Sequence, residues 1–244
     1  GRHRQLQFQA AGRHPGHMQR SRTTQSSETV KRVILVDDHP IMRHGLAQLI
    51  RMESGLDVCG EAGSAREGLE IVGKLKPDMA VIDLTLPDKN GLELVKDIRA
   101  MHPGTACLVL SMHDEALYGE RSLRAGARGY VMKEEAADHL ITAIHKVLSG
   151  GLYVSETLNA RMLEQMTAPT RSKAAGIDSL TDRELEILEL IGKGVATKNI
   201  ATQLSISART VEAHRAHVKE KLGITDGAAL VRYAVQWMET RAGV

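Results

Sequence analysis

Aromatic side chains make up only 2% of these 244 residues: one Phe, one Trp and four Tyr. Cores must therefore be built from Leu, Ile, Val, Ala and Met. Cysteine is nearly as scarce. Cys59 and Cys107 each sit in a short β-like run, which reads as two reduced core thiols in a cytoplasmic protein rather than a disulfide or metal site. No apolar run approaches the ~18 residues a membrane helix needs. Residues 1–30 carry five Arg and one Glu but no apolar stretch, so they are not a secretory signal and are expected to be a disordered leader. Charge of one sign is not in excess either, at 32 Lys and Arg against 30 Asp and Glu. Residues 31–150 are mildly acidic, with 15 basic and 18 acidic residues, and residues 177–244 hold nine of each. A hydrophobic content of 42% and a charged content of 25% describe a globular protein long enough for two ordinary domains.

From Val33 to Leu148 short apolar runs alternate with helical spacing. The runs are 33–36 (VILV), 79–82 (MAVI), 106–110 (ACLVL) and 129–132 (GYVM), with a weaker one near Val58. Between them, Met42, Leu46, Leu49 and Ile50 share a helical stripe, as do Leu92, Val95 and Ile98, and Ala137, Leu140, Ile141, Ile144 and Leu148. Pro40 suits a first helical turn, Ser64-Ala65-Arg66-Glu67 fits a capping box, and Gly126 can end a helix. Five strands alternating with five helices predict an α/β fold, a doubly wound parallel sheet with right-handed crossovers. Strands that are apolar throughout belong in a sheet covered on both faces.

Ligands of such sheets bind beyond the carboxyl ends of the strands. The first strand delivers Asp37 and Asp38 there, the third Asp83, the fourth Ser111 and the fifth Lys133. Adjacent carboxylates repel and are costly to bury unpaired, so the set is best read as a cage for Mg²⁺, a hard cation that takes oxygen ligands and keeps water. A carboxylate can also attack phosphorus to form an aspartyl phosphate. Lys133 then offers a cation to a phosphate oxygen or to the Asp83 carboxylate, and Ser111 offers a hydroxyl. Any one of these alone would pass as a turn or capping residue.

These motifs, VDDH, IDLTLPDKNG, LS and GYVMK, resemble the receiver domain of bacterial two-component response regulators over about 31–150. The resemblance implies that Asp83 is the phosphoacceptor. It implies that Asp37, Asp38, Asp83 and the Thr85 backbone carbonyl hold Mg²⁺, and that Lys133 contacts the phosphate. It pairs Ser111 with Tyr130 as a hydroxyl–aromatic switch, although Tyr130 also suits a plain packed strand position. An aspartate-nucleophile phosphatase uses similar chemistry, but Asp83-Leu84-Thr85 lacks a second Asp two residues on.

After Gly150-Gly151 the character changes. Residues 151–177 are expected to be a linker with a short helix at Glu156–Met166, and 167–179 (TAPTRSKAAGIDS) a flexible stretch. A second module, 178–244, opens on the capping box Thr181-Asp182-Arg183-Glu184. Its helix carries Leu185, Leu188 and Ile191 and ends at Gly192 and Gly194. Thr197 is expected to cap a short helix, Lys198–Leu204, and Ser207 a longer one over about 208–222. A last helix is expected over about Asp226–Met238. Short helix, tight turn, longer helix is the helix-turn-helix pattern. Val211, His214, Val218 and Leu222 form its core side, with His214 read as a packed, hydrogen-bonded core residue.

LTDRELEILELIGKGVATKNIATQLSISARTVEAHRAHVKEKLGI closely resembles the LuxR-type helix-turn-helix, and the whole chain resembles the NarL/FixJ family of response regulators. The resemblance implies a DNA-binding transcriptional regulator rather than an enzyme, with a sensor histidine kinase and double-stranded promoter DNA as partners and a homodimer when phosphorylated. It places Glu212, Ala213 and Ala216 at base-facing positions in the major groove, and Lys198, Arg209, Thr210, Arg215 and Lys219 on phosphates. Alanines and a Glu stand where long basic side chains often lie; a Glu accepts from cytosine and an Ala packs on a thymine methyl.

Overall fold

Val33, Ile34, Leu35 and Val36 have no polar face to give to water, and all four are buried in the computed structural model. The structure describes residues 29–167 and 176–242. The expected leader falls almost wholly outside the described residues, as does the middle of the expected linker. The strands are β1 (Lys31–Val36), β2 (Leu56–Ala62), β3 (Met79–Ile82), β4 (Ala106–Ser111) and β5 (Gly129–Met132). They pair in parallel in the order β2-β1-β3-β4-β5. Successive β1 residues feed opposite faces. Val33 and Leu35 pack with α1 (Pro40–Arg51) and α5 (Ala136–Leu148); Ile34 and Val36 pack with α2 (Ala65–Leu75), α3 (Gly91–Met101) and α4 (Glu115–Ala125). This is the doubly wound arrangement that the apolar runs predict. Cys107 lies in the core, where burial pushes its thiol up to about 12, and both cysteines are free.

The order change at β1 and β3 puts their carboxyl ends side by side, and this opens the crevice in which the acidic residues sit. Gly91 secures the loop after β3. A Cβ there would lie 2.1 Å from the Asp83 carbonyl oxygen, so only glycine lets α3 start this close to the strand. Asn90 caps α3 by accepting from the Leu92 amide.

Several local expectations shift. Ser64 does cap α2, accepting from the Glu67 amide, but the Glu67 carboxylate reaches back to the Gly63 amide rather than to Ser64, so the box is incomplete. In α5 the inward position is Ala136; Ala137 faces solvent. The expected linker is tied to the receiver in its first part. Tyr153 exchanges backbone bonds with Arg128 and Tyr130 beside β5, and α6 (Glu156–Thr167) buries Leu158 beside α4.

The second module contains α7 (Asp182–Gly192), α8 (Thr197–Gln203), α9 (Ala208–Leu222) and α10 (Gly227–Ala242). The capping box at Thr181 and Glu184 is complete, and Ser207 caps α9 by accepting from the Thr210 amide. Thr197 is not a cap. The helix begins one residue earlier than expected, with Ala196 before it, and the Thr197 hydroxyl turns to α9 instead. Core residues Leu185, Leu188, Ile200, Val211, Val218, Leu230 and Ala234 hold the four helices together. No helix among the described residues is long and apolar enough to cross a membrane.

Candidate functional site

At the carboxyl end of the sheet, Lys133 Nζ lies 2.7 Å from Asp37 Oδ2 and 2.7 Å from Asp83 Oδ2. All three side chains are nearly inaccessible. The lysine leaves β5 in a short 3-10 turn at Lys133–Glu135, which aims it back across the crevice. Burial alone would lower its pKa, but the Asp83 charge, the hydrogen bond to Asp83 and the close Asp37 carboxylate raise it. For Asp83 burial raises the pKa, Lys133 opposes the rise, and the Asp37 charge adds to it. One ammonium therefore does not neutralise the group.

Unspent acceptors point to a further cation. Asp37 Oδ2 and Asp38 Oδ1 are buried without an aligned hydrogen-bond donor, although Lys133 Nζ and His39 Nδ1 each lie within ion-pair reach at 2.7 Å. Asp37, Asp38, His39 and Asp83 each offer a ligand atom within 4.8 Å of the others. Three carboxylates with spare oxygens at an open crevice fit Mg²⁺. His39 was not singled out from sequence; it is mostly exposed and belongs to the rim.

Thr85 donates its amide to Asp83 Oδ1 at 3.3 Å. Ser111 is fully buried at the end of β4 and accepts from the His113 amide at 3.1 Å. Tyr130 is buried, its hydroxyl donates to the His113 carbonyl at 2.6 Å, and burial holds that hydroxyl protonated. Thus Asp37, Asp38, Asp83 and Lys133 form one cluster, while Thr85, Ser111 and Tyr130 all lead to His113.

The helix-turn-helix residues lie on α8 and α9. Lys198, Arg209, Thr210, Glu212, Ala213 and Ala216 are exposed; Arg215 and Lys219 are half-buried. Glu212 accepts from the Thr197 hydroxyl at 3.0 Å, and Arg215 donates to the same hydroxyl at 2.8 Å. His214 is half-buried as expected of a core histidine, yet its buried Nδ1 has no hydrogen-bond partner.

A contact between the two modules went unforeseen. Arg121 on α4 donates to the Leu180 carbonyl at 2.8 Å, Asp182 at 3.1 Å and the Ile177 carbonyl at 3.2 Å. Further along α7, Asn90 reaches Glu186 at 3.4 Å, and Glu189 receives the Tyr118 hydroxyl at 3.0 Å and faces His113 Nδ1 at 2.9 Å. Glu184, Glu186 and Glu189 are all buried. An amphipathic surface helix does not need acidic residues on several faces, and α7 is enclosed because the receiver covers the side that its own module leaves open.

The comparisons with known proteins agree with this division. Residues 33–145 match the response regulator receiver domain, and residues 178–234 match the luxR family of bacterial regulatory proteins. The chain is 38% identical to the transcriptional regulatory protein MctR of Rhizobium johnstonii, covering 84% of this chain and 92% of that one. It is 39% identical to the transcriptional regulatory protein UhpA of Salmonella typhimurium over 81% of this chain and 94% of that one. Among solved structures it resembles RcsB from Salmonella enterica serovar Typhimurium bound to promoter rprA in the presence of the phosphomimetic BeF3−. The TM-score is 0.56 at 25% identity, covering 84% of this chain and 98% of that one.

Proposed function

Since the chain belongs to the response regulators that join a receiver to a LuxR-type DNA-binding domain, we propose that Asp83 is its phosphoacceptor and that α9 carries its DNA contacts. The observation that carries this reading is the bridge of Lys133 between Asp37 and Asp83 at 2.7 Å each, set at the mouth of the crevice. In the transfer, an Asp83 carboxylate oxygen forms a bond to phosphorus as the phosphorus–nitrogen bond of a kinase phosphohistidine breaks, and the leaving imidazole takes up a proton. Lys133 stays beside the oxygen that becomes the acyl phosphate and offsets its charge. Asp37, Asp38, Asp83 and the Thr85 carbonyl would hold Mg²⁺. That ion would screen the incoming phosphoryl group from the carboxylates.

On the other domain, Lys198, Arg209, Thr210, Arg215 and Lys219 would meet phosphates, with Glu212, Ala213 and Ala216 against base edges. The solved relative bound to a promoter with a phosphomimetic supports the link between the two ends of the chain. A phosphorylated homodimer would engage two half-sites, the second contact being intramolecular and so far more effective. We place this activity in the cytoplasm, where promoter DNA and a sensor histidine kinase's catalytic domain meet.

Intact mass after incubation with Mg²⁺ and acetyl phosphate tests the assignment. One phosphoryl adduct is expected on the wild type and none on Asp83→Asn. An undiminished adduct on the variant places the acceptor elsewhere.

A further inference from the structure

We propose that His113 is the positioning residue that couples phosphorylation of Asp83 to the seating of α7 on the receiver. The inference rests on the function proposed above and adds the route by which one domain senses the other. His113 is bonded at four points to four different places. Its amide donates to Ser111 Oγ at 3.1 Å, and its carbonyl accepts from the Tyr130 hydroxyl at 2.6 Å. Its ring places Nε2 3.1 Å from Thr85 Oγ1 and Nδ1 2.9 Å from Glu189 Oε2. Thr85 flanks the phosphoacceptor, and Glu189 belongs to the DNA-binding domain.

The chemistry of the partners fixes the direction of these bonds. A carboxylate only accepts, so Nδ1 carries the hydrogen that goes to Glu189. In the neutral ring Nε2 is then the acceptor, and the Thr85 hydroxyl donates to it. Glu189 also takes the Tyr118 hydroxyl, and the Tyr118 and His113 rings lie against each other with centroids 4.7 Å apart. The result is a continuous set of oriented bonds from the Asp83 loop to α7.

A phosphoryl group on Asp83 brings strong acceptor oxygens to this end of the set. They compete for the hydroxyl hydrogens of Thr85 and Ser111. When Thr85 turns away, Nε2 loses its donor; when Ser111 turns, the hold on the His113 backbone loosens. The ring then leaves the alignment that serves Glu189, and a buried carboxylate short of a donor is costly to keep in place. α7 is released from α4. The exposed face of α9 is not covered by this contact, so the latch acts by fixing the DNA-binding domain to the receiver, not by hiding its reading surface.

The full chain is compared with His113→Ala, His113→Gln, Glu189→Ala and the His113→Ala/Glu189→Ala double variant, with and without acetyl phosphate and Mg²⁺. Intact mass reads phosphoryl occupancy, and amide hydrogen exchange is followed in peptides covering 115–125 and 182–192. In the wild type, phosphorylation should speed exchange in both peptides. Unphosphorylated His113→Ala should already exchange faster there, by about five-fold or more, should accept the phosphoryl group, and should respond to it no further. Glu189→Ala should match it, and the double variant should add nothing, as expected of two residues acting through one bond. His113→Gln retains an N–H for Glu189 and an acceptor for Thr85, and should restore slow exchange and the response. If the His113 variants carry phosphate and show the wild type's slow exchange and full response, the inference is overturned while the phosphoacceptor reading stands. If the wild type acquires no phosphoryl group, both fall together. Should His113→Ala not fold, Glu189→Ala and His113→Gln still decide the matter.

Discussion

Burial raises the pKa of Asp83, and the Lys133 ammonium only partly offsets it. A carboxyl whose folded pKa lies above its unfolded value binds its proton more readily in the native state. Stability is therefore lost as the pH climbs from the ordinary aspartate value through the folded pKa. Asp83→Asn removes that loss while Lys133 keeps Asp37 as a partner. In EDTA at neutral pH the variant should melt above the wild type. Adding Mg²⁺ should close or reverse the gap, because an ion bound only by the native state stabilises it by mass action. Calorimetry in the two buffers checks this. A variant that melts no higher than the wild type in EDTA would mean that Lys133 alone neutralises the cluster. The four charged residues here were legible in sequence because each closes an apolar strand or follows one directly. His113 was not. Its partner Glu189 lies 76 residues away in another domain, and no local spacing encodes a contact at that range.

Strand and helix positions followed from the apolar runs and from the residues that stop them. Val33–Val36 and Met79–Ile82 offer no alternation, and they lie inside a sheet covered on both faces. What the spacing left open was the detail of first turns, as at Thr197. Its side chain has stronger partners on α9 than a cap would give it, so the helix starts without one. On α9 itself, half-buried Lys219 lies beside the exposed row Glu212, Ala213 and Ala216. Lys219→Ala should weaken binding to all duplex sequences alike and reduce the slope of log affinity against log salt by about 1. Titrations over a series of salt concentrations, on a pool of random duplexes and on the sequence it enriches, read both effects. A loss confined to the enriched sequence would instead make Lys219 a base reader.

Across the whole molecule, the contact between α7 and the receiver decides the shape of the resting chain. It combines buried carboxylates with a cation that serves three acceptors at once, Arg121 on Leu180, Asp182 and Ile177. Removing that guanidinium leaves the Leu180 carbonyl without this donor, the Ile177 carbonyl with the Leu180 amide alone, and Asp182 with Lys96 alone, at 3.3 Å. Hydrogen bonds to charged groups are worth roughly 1.5–3 kcal/mol each, so Arg121→Ala should shift the closed arrangement toward an open one by about ten-fold or more. Small-angle scattering on the unphosphorylated chain should then give a larger radius of gyration than the wild type, approaching that of the phosphorylated wild type if phosphorylation opens the same contact. Because Arg121 lies far along α4 from His113, this variant should open the chain without impairing the transfer to Asp83. An Arg121→Ala protein as small as the wild type would assign closure to the apolar contacts around Leu180 and to the Glu189 cluster instead, and α7 would then be held from its far end.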